Sequence, residues 1–94
     1  KDVIAIFSCN SNEFAGKLFK DAKYLYSYKD VGEGFAKSHR LMNAAYAFIL
    51  YIINNADSFD KVKALEAANQ GLAEIPYDRD DKDQIVLEIA KEEK

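Results

Sequence analysis

The stretch that decides the fold is Val3–Ser11, which reads VIAIFSCNS. Its first five residues are apolar, and no charged residue falls between Val3 and Asn10. An apolar run of this kind is typical of a strand that is buried on both faces of a sheet. We therefore expect a central parallel strand that ends at Cys9, because open α/β sheets place ligands and reactive groups at the carboxyl ends of their strands.

Length and composition predict one globular domain over residues 1–94. Hydrophobic residues make up 49% of the chain, which is typical of a globular protein. At this length, folding buries only about 60% of the surface of the unfolded chain, so we expect marginal stability. The net charge of −3 argues against a nucleic-acid partner. A single cysteine cannot form an internal disulfide, and this favours a cytoplasmic location.

Helix and strand patterns alternate along the rest of the chain. Apolar residues recur at helical spacing in three segments, 11–22, 35–54 and 57–74. Asn10, Ser11 and Asn12 offer N-caps for the first helix, and Asp57 and Ser58 offer them for the third. Further strands are predicted at Tyr24–Tyr28 and at Ile85–Ile89, the second at a sheet edge because its flanks are highly charged. The pattern predicts an α/β fold with two parallel strands, three helices and a C-terminal edge strand.

The second predicted helix contains the most apolar segment of the chain, Leu41–Ile53. It spans 13 residues and is interrupted only by Asn43. This is too short to cross a hydrocarbon core of about 30 Å, so no membrane partner is expected. Because the segment is apolar almost all round, we expect it to lie between the sheet and the next helix, or against another domain.

Cys9 is the leading candidate for chemistry. The N-terminus of the predicted helix 11–22 points back at it, and the free N–H groups there would lower the pKa of a thiol and bind an oxyanion. The alternative is a core thiol, since free cysteines are among the most buried residues. A nucleophilic cysteine also needs a base, usually histidine. The only histidine is His39, on the first turn of the long helix, where it is poorly placed to reach the end of the first strand.

The loop after the second strand carries two acidic residues, Asp30 and Glu33. Gly32 and Gly34 break both the helix and the strand period there. Because the loop follows a parallel strand, we expect it beside Cys9 as the segment that contacts the substrate. The sequence has no spacing typical of a metal site, a calcium loop or a phosphate loop, so we expect no metal and no cofactor.

The order of these features resembles the C-terminal half of CHAT domains, which are caspase-like cysteine peptidases related to separases. The matching segments are, in order, Phe7-Ser8-Cys9-Asn10-Ser11, Phe14-Ala15, Ser27-Tyr28, the acidic loop leading to Ala36, Ala45-Tyr46-Ala47-Phe48, residues 63–69 and Ile85-Val86-Leu87. The resemblance covers almost the whole chain. It implies a three-layer caspase-like half-domain.

The resemblance also implies a function. Cys9 would be the nucleophile of a cysteine endopeptidase, a hydrolase that attacks peptide carbonyls of a protein or peptide substrate. The backbone around Ser8 and Asn10 would contribute to the oxyanion and substrate site. Asp30 or Glu33 would bind a basic substrate residue, and the choice between them stays open, as does the alternative that both are simply solvated.

The resemblance places the catalytic histidine on the strand that precedes the cysteine strand. His39 therefore does not take this role. We expect a partner chain or missing half, paired with the strand Val3–Cys9, to supply the histidine. The chain alone should then be oligomeric or poorly soluble, and without peptidase activity.

Two other functions fit the same sequence. One is a non-catalytic α/β interaction module, in which Cys9 is part of the core and the edge strand binds another protein. The other is a caspase-like pseudoenzyme that acts as a scaffold. Reactivity of the thiol separates both from the peptidase hypothesis.

Overall fold

The computed structural model of the chain describes residues 3–8, 10–29, 38–75 and 84–89. The elements are, in order, β1 (Val3–Ile6), a 3-10 helix (Ser11–Glu13), α1 (Ala15–Leu18), β2 (Tyr24–Lys29), α2 (Ser38–Asn54), α3 (Lys61–Ala73) and β3 (Gln84–Ile89). The predicted α/β class is confirmed. Cys9, the acidic loop with Asp30 and Glu33, and the charged segment 77–83 lie outside the described residues.

The three strands form one mixed sheet in the order β1-β2-β3. β1 and β2 are parallel, with Ile6 opposite Ser27, whereas β3 runs antiparallel to β2. The parallel pair and the edge position of β3 confirm two predictions. The central position predicted for the first strand is wrong within the described sheet, where β2 is central and β1 lies at an edge. The prediction of a strand buried on both faces is also wrong within the described residues, because Val3, Ile4 and Ile6 are only half-buried and Ala5 is exposed. An apolar run shows neither that both faces of a strand are covered nor that both edges are paired.

Helices cover both faces of this sheet, which makes three layers. Tyr26 and Tyr28 of β2 lie in a core beneath α2 and α3. Leu25, the residue before Tyr26 in the sequence, points to the opposite face and packs with Ala15 and Ala22 in a smaller core. This alternation follows from the two-residue period of a strand. Burial raises the pKa of Tyr26 to about 12.

The first helix is much shorter than predicted. Instead of a continuous helix over 11–22, there is a three-residue 3-10 helix followed by the four-residue α1. Gly16 lies inside α1 and disfavours helix, and Leu18 is 66% exposed rather than part of a buried face. So short a helix aligns few peptide dipoles. The predicted lowering of the Cys9 pKa by a helix N-terminus therefore loses its basis.

α2 and α3 pack closely because their contact is built from small residues. Ala44, Ala64 and Ala68 are fully buried between the helices and the sheet. Gly71 of α3 lies so close to α2 that an added Cβ would come within 2.8 Å of the Asn43 carbonyl oxygen. The Asn43 side chain in turn donates to the Gly71 carbonyl oxygen at 2.7 Å. The two helices are therefore in direct backbone contact.

Two polar side chains hold the C-terminal part of α3 in place. Arg40 is 3% exposed, and its Nε donates to the carbonyl oxygens of Leu72 and Ile75 at 3.2 and 2.8 Å. Carbonyls at a helix C-terminus have no partner within the helix, so the guanidinium satisfies them and opposes the helix dipole. Asn69 accepts from the Ile85 N–H at 2.7 Å and donates to the Ile85 carbonyl at 3.0 Å. This amide fixes β3 to α3.

α3 begins after Asp60, so the predicted caps Asp57 and Ser58 are wrong. Asp60 Oδ1 accepts from the N–H groups of Val62 and Lys63 at 2.9 and 3.1 Å. Asp57, Ser58 and Asp60 all precede the helix in the sequence. Which of them caps it depends on where the first turn begins. The hydrogen bonds from the Lys63 and Val62 N–H groups hold the pKa of the Asp60 carboxyl below its usual 3.8.

We expect Asp60→Ala to lower the melting temperature at neutral pH, and the deficit to shrink in acid. A carboxyl whose pKa falls on folding stabilises the protein above its unfolded pKa, and this stabilisation is lost as pH falls through the folded pKa. Thermal unfolding followed by circular dichroism, at neutral pH and stepwise below pH 3.8, measures this. Asp60→Asn keeps a capping oxygen and should lose less at neutral pH. A deficit of Asp60→Ala that is independent of pH would contradict the charged cap.

Candidate functional site

The carboxyl ends of β1 and β2 meet at one end of the sheet, because these strands are parallel. Among the predicted site residues, Ser8 and Asn10 lie here, and both are exposed. They flank Cys9 in the sequence. Cys9, Asp30 and Glu33 fall outside the described residues, so the described part of the candidate site consists of the turn after β1 and the end of β2.

A tight turn leads from β1 into the 3-10 helix. The Ser11 N–H donates to the Ser8 carbonyl oxygen at 3.0 Å and closes the turn. Asn10 adopts a left-handed backbone with φ of 55°, a conformation that asparagine tolerates better than most residues. The Asn10 carbonyl oxygen then accepts from the Glu13 N–H at 3.0 Å. The chain thus leaves the strand through a hydrogen-bonded turn that exposes both neighbours of Cys9.

Ser11 fastens this turn to the sheet. Its side chain is fully buried, and its Oγ donates to the Ile6 carbonyl oxygen at 2.7 Å. The same Oγ accepts from the Tyr28 N–H at 2.9 Å. Ile6 and Ser27 are the last residues at which β1 and β2 pair with each other. The Ser11 hydroxyl therefore extends the hydrogen bonding between these two strands by one step. The sequence had indicated only a helix cap here, and the small polar residue directly after the strand is the signal of the second role.

Two further polar atoms near this end of the sheet are buried without a hydrogen bond in the described part of the chain. They are Ser27 Oγ, on the central strand, and Asn12 Oδ1, on the 3-10 helix that contacts that strand. Ser27 is fully buried. These two buried atoms beside the turn therefore make no hydrogen bond within the described part of the chain, whereas the Ser11 hydroxyl both donates and accepts one.

His39 lies on a different surface from the turn. It is exposed on the first turn of α2, where it lines an open groove with Met42, Asn43, Tyr46 and Ile75. These residues belong to α2 and to the end of α3, and none of them belongs to β1 or to the turn after it. The surroundings of His39 therefore lend no support to a role as the base for Cys9.

A second groove lies between β1 and α2. It has a volume of about 320 Å³, and its lining is entirely apolar: Ala5, Phe7, Ala45, Phe48 and Ile49. The rings of Phe7 and Phe48 meet edge to face with their centroids 5.5 Å apart. The two alanines are too small to fill the space beside these rings. The groove therefore stays open next to the outer edge of β1.

Within the described ranges, no helix has both the length and the apolar character that a membrane crossing requires. The same residues bring no three His, Cys, Asp or Glu side chains together to hold a metal ion. In comparisons with protein-family models, curated proteins and solved structures, the chain matched none of them. The function is therefore inferred from the residues and their geometry alone.

Proposed function

We propose that this chain is the nucleophile-bearing segment of a caspase-like cysteine endopeptidase, which works with a partner polypeptide that supplies the histidine. The observation that carries the proposal is the turn from Ser8 to Ser11. It follows a parallel strand, exposes both neighbours of Cys9 and is tied to the sheet by a buried hydroxyl. A catalytic nucleophile needs this combination of access and fixed position.

In the proposed reaction, the Cys9 thiolate attacks the carbonyl carbon of a peptide bond. The C–N bond breaks, the amine leaves with a proton from the partner's histidine, and the acyl group remains as a thioester. Water then hydrolyses the thioester, which releases the carboxylic acid and restores the thiol. Backbone N–H groups around Cys9 would stabilise the oxyanion. Asp30 or Glu33 would bind a basic residue of the substrate beside the cleaved bond.

The partner would pair with the outer edge of β1. Among the described strands, β1 has a neighbour only on its β2 side. A parallel strand added on the other side would end next to the turn, since parallel strands bring their carboxyl ends together. A histidine at the end of that strand would lie beside Cys9. A cytoplasmic location belongs to the same proposal, because a free thiol persists in a reducing compartment.

A second candidate function, a non-catalytic interaction module or pseudoenzyme scaffold, is favoured by the apolar groove between β1 and α2. An open groove beside a strand edge that no described strand occupies suits the binding of another protein. Such binding would not require Cys9.

Peptidase assays separate the two functions. The chain, isolated from its source with the polypeptides bound to it, is expected to cleave peptides after Lys or Arg. Cys9→Ala should abolish the cleavage, whereas the matched variant His39→Ala should retain it. Asp30→Asn and Glu33→Gln, made separately, show which carboxylate sets the preference for a basic residue.

Two outcomes would contradict the proposal. One is cleavage by this chain as a monomer without any partner. The other is cleavage that Cys9→Ala leaves unchanged. A complex that forms normally but never cleaves would instead identify the chain as an interaction module.

A further inference from the structure

One side of α2 carries large apolar side chains that no described element covers. The residues are Met42, Tyr46, Ile49 and Ile53, which are 68%, 63%, 53% and 65% exposed. They recur at helical spacing, so they form one band along the helix, here called the α2 stripe. Contiguous apolar surface of this kind on a small domain marks an interaction site.

The α2 stripe is continuous with the edge of β1 that has no neighbour among the described strands. Ile49 belongs both to the stripe and to the groove, where it lies with Ala5 and Phe7 of the β1 segment. α3 occupies another side of α2, where Gly71 approaches Ala44 and Ala47. Met42 and Tyr46, near the start of the stripe, border the groove that contains Ile75, so the stripe runs from that groove to the groove beside β1.

A second copy of the chain can cover all of this surface at once. Phe48 of α2 packs against Phe7 beside β1 and against Tyr26 of β2, with centroid distances of 5.5 and 4.7 Å. α2 therefore lies above the gap between the two strands, which is about 4.8 Å wide. If two β1 strands pair antiparallel about a two-fold axis, each α2 lies about 5 Å from that axis. The two α2 helices are then about 10 Å apart, a normal distance for packed helices.

The chemistry of the surface also suits a second copy. Residues 41–54 of α2 include no charged residue, so a two-fold axis brings no like charges together. The groove of about 320 Å³, which Ala5 and Ala45 leave open, can receive an apolar side chain from the other copy's stripe.

We infer that this chain, when its histidine-bearing partner is absent, forms a two-fold dimer through β1 and the α2 stripe. The dimer occupies the strand edge that the partner needs, so the two assemblies exclude each other. The dimer is then the resting state of the peptidase segment, and this regulatory role rests on the proposed function. The dimer interface itself rests only on the surface described here.

Sedimentation equilibrium and native mass spectrometry of the purified chain test the interface. The wild-type chain is expected to have twice the mass of a monomer. Ile49→Lys and Ile53→Lys should each raise the Kd of the dimer at least about 100-fold, because each would bury an unpaired charge in the interface. Both positions are more than half exposed, so the variants should fold, and circular dichroism checks this. Leu18→Lys is the matched control, because Leu18 is 66% exposed on the other face of the sheet and should leave the Kd unchanged.

Three results would overturn the inference: a wild-type chain that stays monomeric at every concentration, a Kd that Ile49→Lys and Ile53→Lys leave unchanged, or an equal loss of the dimer in Leu18→Lys.

The mass measurement needs no activity, and the peptidase assay needs no dimer. A dimer with the expected response to these variants, together with a partner complex that never cleaves, would reject the proposed function and keep the interface. If the chain is monomeric when alone but cleaves peptides in complex with its partner, the dimer interface is rejected and the proposed function is kept.

Discussion

Ser11→Ala is expected to lower the free energy of unfolding by about 3 kcal/mol. The substitution removes a fully buried hydroxyl that joins the end of β1 to the end of β2. It leaves the Ile6 carbonyl and the Tyr28 N–H without this partner, and a buried polar group without a hydrogen bond costs about 1–3 kcal/mol. Urea denaturation followed by circular dichroism measures the loss. Because the Ser11 hydroxyl also fastens the turn that contains Cys9 to the sheet, the same variant should lower peptidase activity of the assembled enzyme.

Ser27→Ala is the matched control for this experiment. Both serines are fully buried near the carboxyl ends of the parallel strands, but Ser27 Oγ has no hydrogen bond in the described part of the chain. Removing an unsatisfied hydroxyl should therefore change the free energy of unfolding by less than about 0.5 kcal/mol, or stabilise the protein. Equal losses in the two variants would show that Ser11 acts through packing, not through its hydrogen bonds.

Gly71→Ala is expected to destabilise the protein by up to about 2 kcal/mol, although alanine is the better helix former. The added Cβ would lie 2.8 Å from the Asn43 carbonyl oxygen, 2.9 Å from the Ala47 Cβ and 3.1 Å from the Ala44 Cα. These atoms belong to the helix itself and cannot rotate away, so α2 and α3 must move apart. Overpacking costs about 1–3 kcal/mol, and the gain of about 1 kcal/mol in helix propensity offsets only part of it. Thermal and urea unfolding report the net change.

Gly16→Ala provides the comparison within the same chain. Its added Cβ would meet only the flexible carboxylate of Glu88, at 3.1 Å. That side chain can turn away, so the gain in helix propensity should leave the variant as stable as the wild type, or more stable. If Gly71→Ala were no less stable than Gly16→Ala, the close approach of α2 and α3 would be wrong.

Local patterns were sufficient to predict most of the secondary structure. The helical spacing in 35–54 and the β-branched and aromatic residues of Tyr24–Tyr28 and Ile85–Ile89 depend only on neighbouring residues. The structure has α2, β2 and β3 in these places. The antiparallel direction of β3 and the edge position of β1 depend on how distant segments pair, which these patterns do not encode.

The first helix shows where periodicity is misleading. The apolar residues of segment 11–22 fit a helical face, yet Ala15 and Ala22 are buried while Leu18 is exposed. These residues reach the small core from turns as well as from the four-residue α1. Spacing alone cannot distinguish such a segment from a continuous helix.

The candidate site could be predicted only in part. Ser8 and Asn10 follow a parallel strand and are exposed, and their role in binding substrate stays a prediction. The cross-strand role of Ser11 could not be predicted, because it depends on Tyr28, which lies 17 residues away and is brought near by strand pairing. The α2 stripe was visible as an apolar segment, but which side of the helix stays exposed is decided by the positions of β1 and α3.

The most direct test of the proposed function is the rate at which iodoacetamide labels Cys9 in the folded chain. Intact mass spectrometry at neutral pH gives this rate, and the same chain unfolded in urea gives the reference. A nucleophile at an exposed turn should be labelled at least as fast in the folded chain as in the unfolded one. Labelling that is about 100-fold slower in the folded chain would place the Cys9 thiol in the core, reject the peptidase, and leave a non-catalytic interaction module.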